Sequence, residues 1–264
     1  MNGQDGYHVF ARFYDALTQN VNYAGRSTYF SDLIRRHAPH AAEGLLLDLA
    51  CGTGSLSFLF EEMGFDVVGV DASAEMLAEA VRKRGENGSN ILFLCQTMCA
   101  LDLYGTVDVT VCALDSLNHL PDTASLQETF ARVSLFTNLG GLFLFDANTA
   151  YKHREILADQ TFVYDLPELF CVWQNAWHPE NDRIDILLDF FVEQNRGGYM
   201  RYAEQFSERI FSREMIGDAL RKNGFALLAV YGDDSFSAPH AATQREVYVA
   251  QKIGAPVYSP KEGN

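Results

Sequence analysis

The chain has 264 residues, enough for one large domain or one domain with a sizeable insertion. Hydrophobic residues make up 48 % and charged residues 21 %, as in a globular protein with a full core, and no run of 18 apolar residues offers a membrane span. The net charge of −15 lacks the basic footprint of a duplex-binding protein and favours a small-molecule ligand over nucleic acid. The five cysteines, Cys51, Cys95, Cys99, Cys112 and Cys171, form no C-x-x-C pair and no His-matched cluster. They are expected to be reduced and mostly buried, with no metal site and no disulfide framework.

The opening segment MNGQDGYHVFARFYDAL lacks the basic-then-apolar order of a signal peptide, which places the expectation in the cytoplasm. Its Phe10 and Phe13 suit an amphipathic helix packed on the core. Helical spacing of Tyr29, Phe30, Leu33 and Ile34 predicts a helix over 24–38, stopped by Pro39. A buried strand follows at 45–49, then a helix over 55–63 closed by Gly64. Phe65–Val70 reads as a second buried strand ending in Asp71. Ser73 is a good N-cap for a helix to Arg84, with Gly85 as its stop.

Strands are predicted at 91–95 and 108–114. A helix beginning at Thr123 or Ser125 is expected to end near Asn138 with Gly140–Gly141 as the stop, before a fifth strand at 142–146. Strand and helix thus alternate with short links, the pattern of a parallel sheet covered on both faces. From 160 to 210 the pattern changes to aromatic-rich runs at 161–164, 169–176, 184–193 and 199–210. They are separated by the turn signals Pro179–Asp182 and Arg196–Gly198, which predicts antiparallel hairpins. Ser212 caps a last helix to Asn223, and strands at 225–231 and 246–252 follow. The expected division is an α/β core over 1–149 and 211–253, an antiparallel β insertion over 150–210 roofing the substrate pocket, and a loose tail over 254–264.

In open α/β sheets ligands bind at the carboxyl ends of the strands. The first strand ends LLLDLACGTGSLSF, with Asp48 before a loop carrying Gly52 and Gly54. Asp71 stands 23 residues later at the end of the second strand, placed to accept hydrogen bonds from both ribose hydroxyls. A dinucleotide fingerprint would need G-x-G-x-x-G, but Ser57 occupies the third glycine position, and Asp48 would oppose a pyrophosphate. S-adenosylmethionine carries a sulfonium and an ammonium and no phosphate, so acids beside the loop suit it.

LLLDLACGTG followed by VVGVDASAEML resembles the class I S-adenosylmethionine-dependent methyltransferases, across roughly Tyr7 to Lys252. FARFYDALTQNVNY before the core, LDSLNHL after the fourth strand and the long insertion after the fifth are similar to the small-molecule N-methyltransferase branch, which includes glycine N-methyltransferase and amino-sugar N,N-dimethyltransferases. The resemblance implies a Rossmann-like, doubly wound seven-stranded sheet. It also implies that Asp48 and the loop from Ala50 through Gly52 to Gly54 hold the methionine part of the cofactor, and that Asp71 holds the ribose. Ala72 and Met76 would pack against the adenine, Thr97 and Met98 would meet its edge, Leu114 to Ser116 would floor the site, and Tyr14 and Tyr23 would close over it. Thr97 departs from the usual Asp, so its hydroxyl accepts one neutral hydrogen bond in place of a charged one, a loss of about 1 kcal/mol.

The expected activity is methyl transfer to N or O of a small molecule. An NAD-dependent oxidoreductase and a non-catalytic S-adenosylmethionine-binding protein are the alternatives. His119 reads either as a base or substrate contact or as a hydrogen-bonded loop residue. Asp115 reads either as the group that orients an amine or as a cap on local backbone. Arg245 could bind a carboxylate or lie on the surface, and Trp173 and Trp177 read as sheet packing. The oligomeric state has no signature in the sequence.

Overall fold

Strands of two different burial patterns build two separate sheets. The computed structural model describes residues 4–194 and 197–256, with side chains from Phe10 onward. The tail expected to be loose lies, from residue 257 on, outside the described residues. The helices are α1 (Gln4–Leu17), α2 (Tyr23–His37), α3 (Ser55–Glu62), α4 (Ala74–Asn87), α5 (Thr123–Phe136) and α6 (Arg213–Lys222). The first sheet contains β1 (Leu45–Leu49), β2 (Asp66–Asp71), β3 (Leu92–Cys95), β4 (Val107–Cys112), β5 (Thr137–Asn148), β10 (Phe225–Gly232) and β11 (Arg245–Lys252). The second contains β6 (Thr161–Leu166), β7 (Leu169–His178), β8 (Arg183–Glu193) and β9 (Tyr199–Arg209).

The seven-stranded sheet has the order β10-β11-β5-β4-β1-β2-β3, parallel from β5 to β3 and antiparallel at β10 and β11. The chain winds outward from β1 in both directions, so the crevice between β1 and β4 is the switch point where a ligand fits. Alternate side chains of each strand fill opposite layers. Leu142 and Leu144 of β5 pack with α2 and α3, while Phe143 and Phe145 pack with α5 and α6. The second sheet is a four-stranded antiparallel meander whose buried face, Ile184, Ile186, Leu188, Phe190 and Val192 on β8, is covered by Phe10, Phe13 and Leu17 of α1. Among the described residues no helix is long and apolar enough to cross a membrane.

Several boundaries differ from the sequence expectation. α4 runs through Gly85 to Asn87 and closes at Gly88, which takes a left-handed φ of +65°. Arg82 links Glu79 at 2.9 Å and Glu86 at 2.7 Å, and these pairs support the turn that Gly85 weakens. α5 is capped by Asp122, whose carboxylate accepts from Ser125 N at 2.7 Å, and it ends at Phe136. Gly140 and Gly141 do not stop it. They form a bulge inside β5, where the register with β4 jumps from Val107–Thr137 to Val109–Leu142. β4 stops at Cys112 because Leu114 and Asp115 turn left-handed, with φ of +61° and +55°. A wide helical segment at Lys152–Leu157 has no counterpart in the sequence reading. Of the cysteines only Cys112 and Cys171 are fully buried, and Cys95 is exposed because it ends the edge strand β3.

The bulge leaves no room at Gly141: a Cβ there would lie 2.7 Å from Asp108 O and 2.9 Å from Asn138 O, both backbone atoms. Gly141→Ala is therefore expected to destabilise the protein by about 2 kcal/mol in urea unfolding, and a change under about 0.5 kcal/mol would show that the bulge yields freely.

Candidate active site

Three left-handed residues in five, Ala50 (φ +63°), Gly52 (φ +55°) and Gly54 (φ +78°), turn the chain from β1 into α3. The turn is pinned by Cys51 N donating to Val70 O at 3.0 Å and Gly54 N donating to Cys51 O at 2.9 Å. A Cβ at Gly52 would meet nothing within 4 Å, so the loop faces open space there. Gly54 begins α3 without a side-chain cap, so the first N–H groups of the helix have no capping partner from it.

Asp48 sits beneath this loop, only 2 % exposed, and accepts a 2.5 Å hydrogen bond from Ser57 Oγ. The serine that breaks the dinucleotide fingerprint is thus the residue that holds the acid. Among the described residues no cation reaches Asp48. Burial, with a contribution from Asp71, pushes its carboxyl up to about 7 against the pull of the Ser57 bond. Asp71 uses one oxygen to accept from Gly52 N and the other to accept from Ser73 N, both at 2.8 Å. Each oxygen keeps a second lone pair for a ligand hydroxyl. Burial raises this carboxyl too, opposed by those N–H groups.

α1 closes the mouth. Asp15 accepts from Thr53 Oγ1 at 2.6 Å and pairs with Lys83 Nζ at 2.5 Å, so the first helix is tied to both the glycine loop and α4. Tyr14 and Tyr23 meet beneath it, and Tyr23 OH donates to Thr18 Oγ1 at 3.0 Å. Burial, then Tyr23, Asp115 and Asp71, hold the Tyr14 phenol well above its ordinary range, which keeps the ring neutral.

The far wall is the corner after β4. Asp146, fully buried, accepts from Leu114 N at 3.0 Å and Asp115 N at 2.5 Å and pairs with Arg26 at 2.6 Å. Arg26 also reaches Asp234 at 2.6 Å. The Asp115 carboxylate accepts from Arg245 at 2.5 Å and from Asn148 Nδ2 at 3.0 Å. Burial alone would raise its pKa, but Arg245, backed by Lys152, holds it below the usual carboxylate range. Asp115 is held ionised, each of its oxygens has one partner, and its side chain makes no backbone cap. Arg245 is accordingly neither on the surface nor free for a ligand carboxylate.

Seven residues singled out from the sequence line one cavity: Tyr14, Tyr23, Asp48, Ala50, Gly52, Leu114 and Ser116. Asp71 borders it through Gly52. Gly54, Ala72, Met76, Thr97 and Met98 do not line it. Met76 is buried in the first turn of α4, while Ala72 and Thr97 are exposed beside it. His119 is exposed in the turn Ser116–His119, its ring 5.3 Å from Phe206 of β9, and close enough to Asp71 and Asp115 to lower both. Trp173 and Trp177 pack against the core of the second sheet. Among the described residues no group of three or more His, Cys, Asp or Glu is arranged to hold a metal ion.

The donor and acceptor set suits a ligand with a cation and a diol. A buried carboxyl lacks a counter-charge, a second carboxylate has lone pairs to spare, and the glycine loop leaves space above them. Asp48→Asn separates the acid's structural cost from its use. The unfolded carboxyl ionises near 3.8 and the folded one near 7, so wild-type stability falls as pH rises from about 4 to about 7. The variant is expected to exceed wild type by about 2–4 kcal/mol at pH 8, to converge with it near pH 4, and to lose S-adenosylhomocysteine binding at least about tenfold. Coincident melting curves of the two proteins at both pH values would contradict this.

Comparison with known proteins agrees with this geometry. Residues 46–141 match the model of a methyltransferase domain family. The chain is 34 % identical over 249 residues to the putative methyltransferase YqeM of Bacillus subtilis, covering 93 % of this chain and 97 % of that one. It is 25 % identical over 243 residues to a glycine/sarcosine N-methyltransferase of Halorhodospira halochloris, covering 91 % and 87 %. Among solved structures, an S-adenosylmethionine-dependent methyltransferase from Clostridium acetobutylicum superposes with a TM-score of 0.84 at 30 % identity, covering 94 % of this chain and 99 % of that one. An amino pentose methyltransferase from Micromonospora echinaspora shares the fold, with a TM-score of 0.72 at 21 % identity over 90 % and 96 % of the two chains.

Proposed function

The chain belongs to the class I S-adenosylmethionine-dependent methyltransferases, and on that premise we propose that it methylates a nitrogen of a small amine. When bound, S-adenosylmethionine supplies a methyl group activated on a sulfonium. In this reading Asp48 and the Ala50–Gly54 loop bind the methionine ammonium and carboxylate, and Asp71 accepts from the ribose hydroxyls. Ala72 and Met76 pack on the adenine, with Thr97 and Met98 at its edge. Leu114 and Ser116 floor the site, and the neutral rings of Tyr14 and Tyr23 face the cation.

The observation that carries nitrogen over oxygen is the state of Asp115. A hydroxyl acceptor benefits from a base that takes its proton, whereas a neutral amine attacks through its own lone pair once it is positioned. The Asp115 carboxylate, paired with Arg245 and held below the usual carboxylate range, is a weak base for that task. The glycine/sarcosine N-methyltransferase among the relatives supports the same choice. His119 faces this wall as a substrate contact, and the antiparallel sheet roofs the acceptor pocket. A cytoplasmic location and a small-molecule acceptor are part of the same reading.

Transfer of labelled methyl from S-adenosylmethionine to a panel of amines and matched alcohols tests it. Label is expected on amines, and label confined to alcohols would refute the nitrogen assignment. Thr97→Asp is expected to tighten S-adenosylhomocysteine about fivefold in calorimetry, by restoring a charged acceptor at the adenine edge. An unchanged affinity would remove Thr97 from the site.

A further inference from the structure

Strand β9 presents Tyr202, Glu204, Phe206 and Glu208 on one face, opposite the buried residues Phe190, Leu188, Ile186 and Ile184 of β8. Contacts of Glu208 and Phe206 place this face across the strand tips of the core. Glu208 accepts from Asn148 at the end of β5 at 3.1 Å. The Phe206 ring meets His119, after β4, and Phe10 of α1. Glu204 lies within the field of Glu75, in the first turn of α4 after β2.

The two glutamates of this face differ. Glu208 has partners at its Oε2, which accepts from Asn148 and lies 3.1 Å from His153 Nε2. Glu204 is only 6 % exposed, and its Oε1 has no hydrogen-bond partner among the described residues. The nearest charge acting on it is another carboxylate. Burial, then Glu75, pushes its carboxyl up to about 7. An acid set in an aromatic wall without a partner is unfavourable for folding, and a cation entering from the cleft would remove that penalty.

We propose that Glu204 is the substrate-anchoring carboxylate, which receives a protonated amine of the methyl acceptor while a second, neutral amine of the same molecule takes the methyl group through its own lone pair and then sheds its proton to water, so that the substrates are diamines and polyamines. The inference rests on the reading of the chain as an amine methyltransferase.

The experiment uses the full chain with labelled S-adenosylmethionine, 1,3-diaminopropane and 1,4-diaminobutane as probes that carry an anchoring and an accepting amine, and 1,3-propanediol and 1,4-butanediol as neutral counterparts. Wild type is expected to methylate at least one amine and neither alcohol. Glu204→Gln is expected to raise KM for that amine at least about tenfold, with kcat within about threefold and S-adenosylhomocysteine affinity within about twofold, and Glu204→Asp to recover part of the loss. Amine KM unchanged in Glu204→Gln, or a loss of S-adenosylhomocysteine affinity instead, overturns the role of Glu204 while leaving amine methylation standing. Methylation of the alcohols alone overturns amine methylation itself. Turnover of neither amine leaves Glu204 no charged acceptor and also overturns the proposal.

Discussion

The ion pair between Asp146 and Arg26 is the constraint on which the rest of the cleft depends. Leu114 and Asp115 both hold left-handed backbone, which costs non-glycine residues roughly 1 kcal/mol or more each. Their N–H groups are aimed at the two oxygens of Asp146, and a buried carboxylate accepting such bonds needs a counter-charge. Arg26 supplies it from α2, on the opposite side of the switch point. Arg245 completes the arrangement through Asp115, which in turn reaches β5 and β9 by way of Asn148. One polar network thereby fixes the floor of the site, the entry of the last strand and the seat of the second sheet.

The contribution of the glycine loop is of another kind. It stores a preference. Asp48 is buried where its charge is unfavourable and is held by a hydroxyl that favours the charge only in part. The protein is therefore less stable without ligand than its packing would permit, and cofactor binding recovers the difference. Glu204 repeats the arrangement on β9, buried and with its Oε1 unpartnered among the described residues.

Much of this was legible in the sequence because the signals are local. Apolar runs of five or six residues ending in Asp48 and Asp71 mark parallel strands, and Ser73 and Ser212 mark helix starts that the structure keeps. The hairpins of the second sheet follow from aromatic runs and turn residues. What the sequence hides is of longer range. Arg26 and Asp146 stand 120 positions apart, and Arg245 and Asp115 stand 130 apart. No spacing rule links them, so Asp115 read as an open choice and Arg245 as a surface or ligand-binding group. The helix ends were misplaced where glycine has two uses. Gly85 is carried inside a helix by flanking ion pairs, and Gly140 bends a strand it was expected to precede.

The tie of α1 to Thr53 and Lys83 bears on the order in which the protein is made. The helix that closes the cleft is synthesised well before the surface it covers, on β8 and β9, which is completed only near residue 206. Until then the apolar side of α1 has no seat, and the cavity lacks the wall that Tyr14 supplies. Such a long-range contact carries a loop-closure cost that local packing does not. The cavity between the glycine loop and α1 is thus a property of the assembled fold and not of its amino-terminal half, and any ligand that bridges the two stabilises their closure.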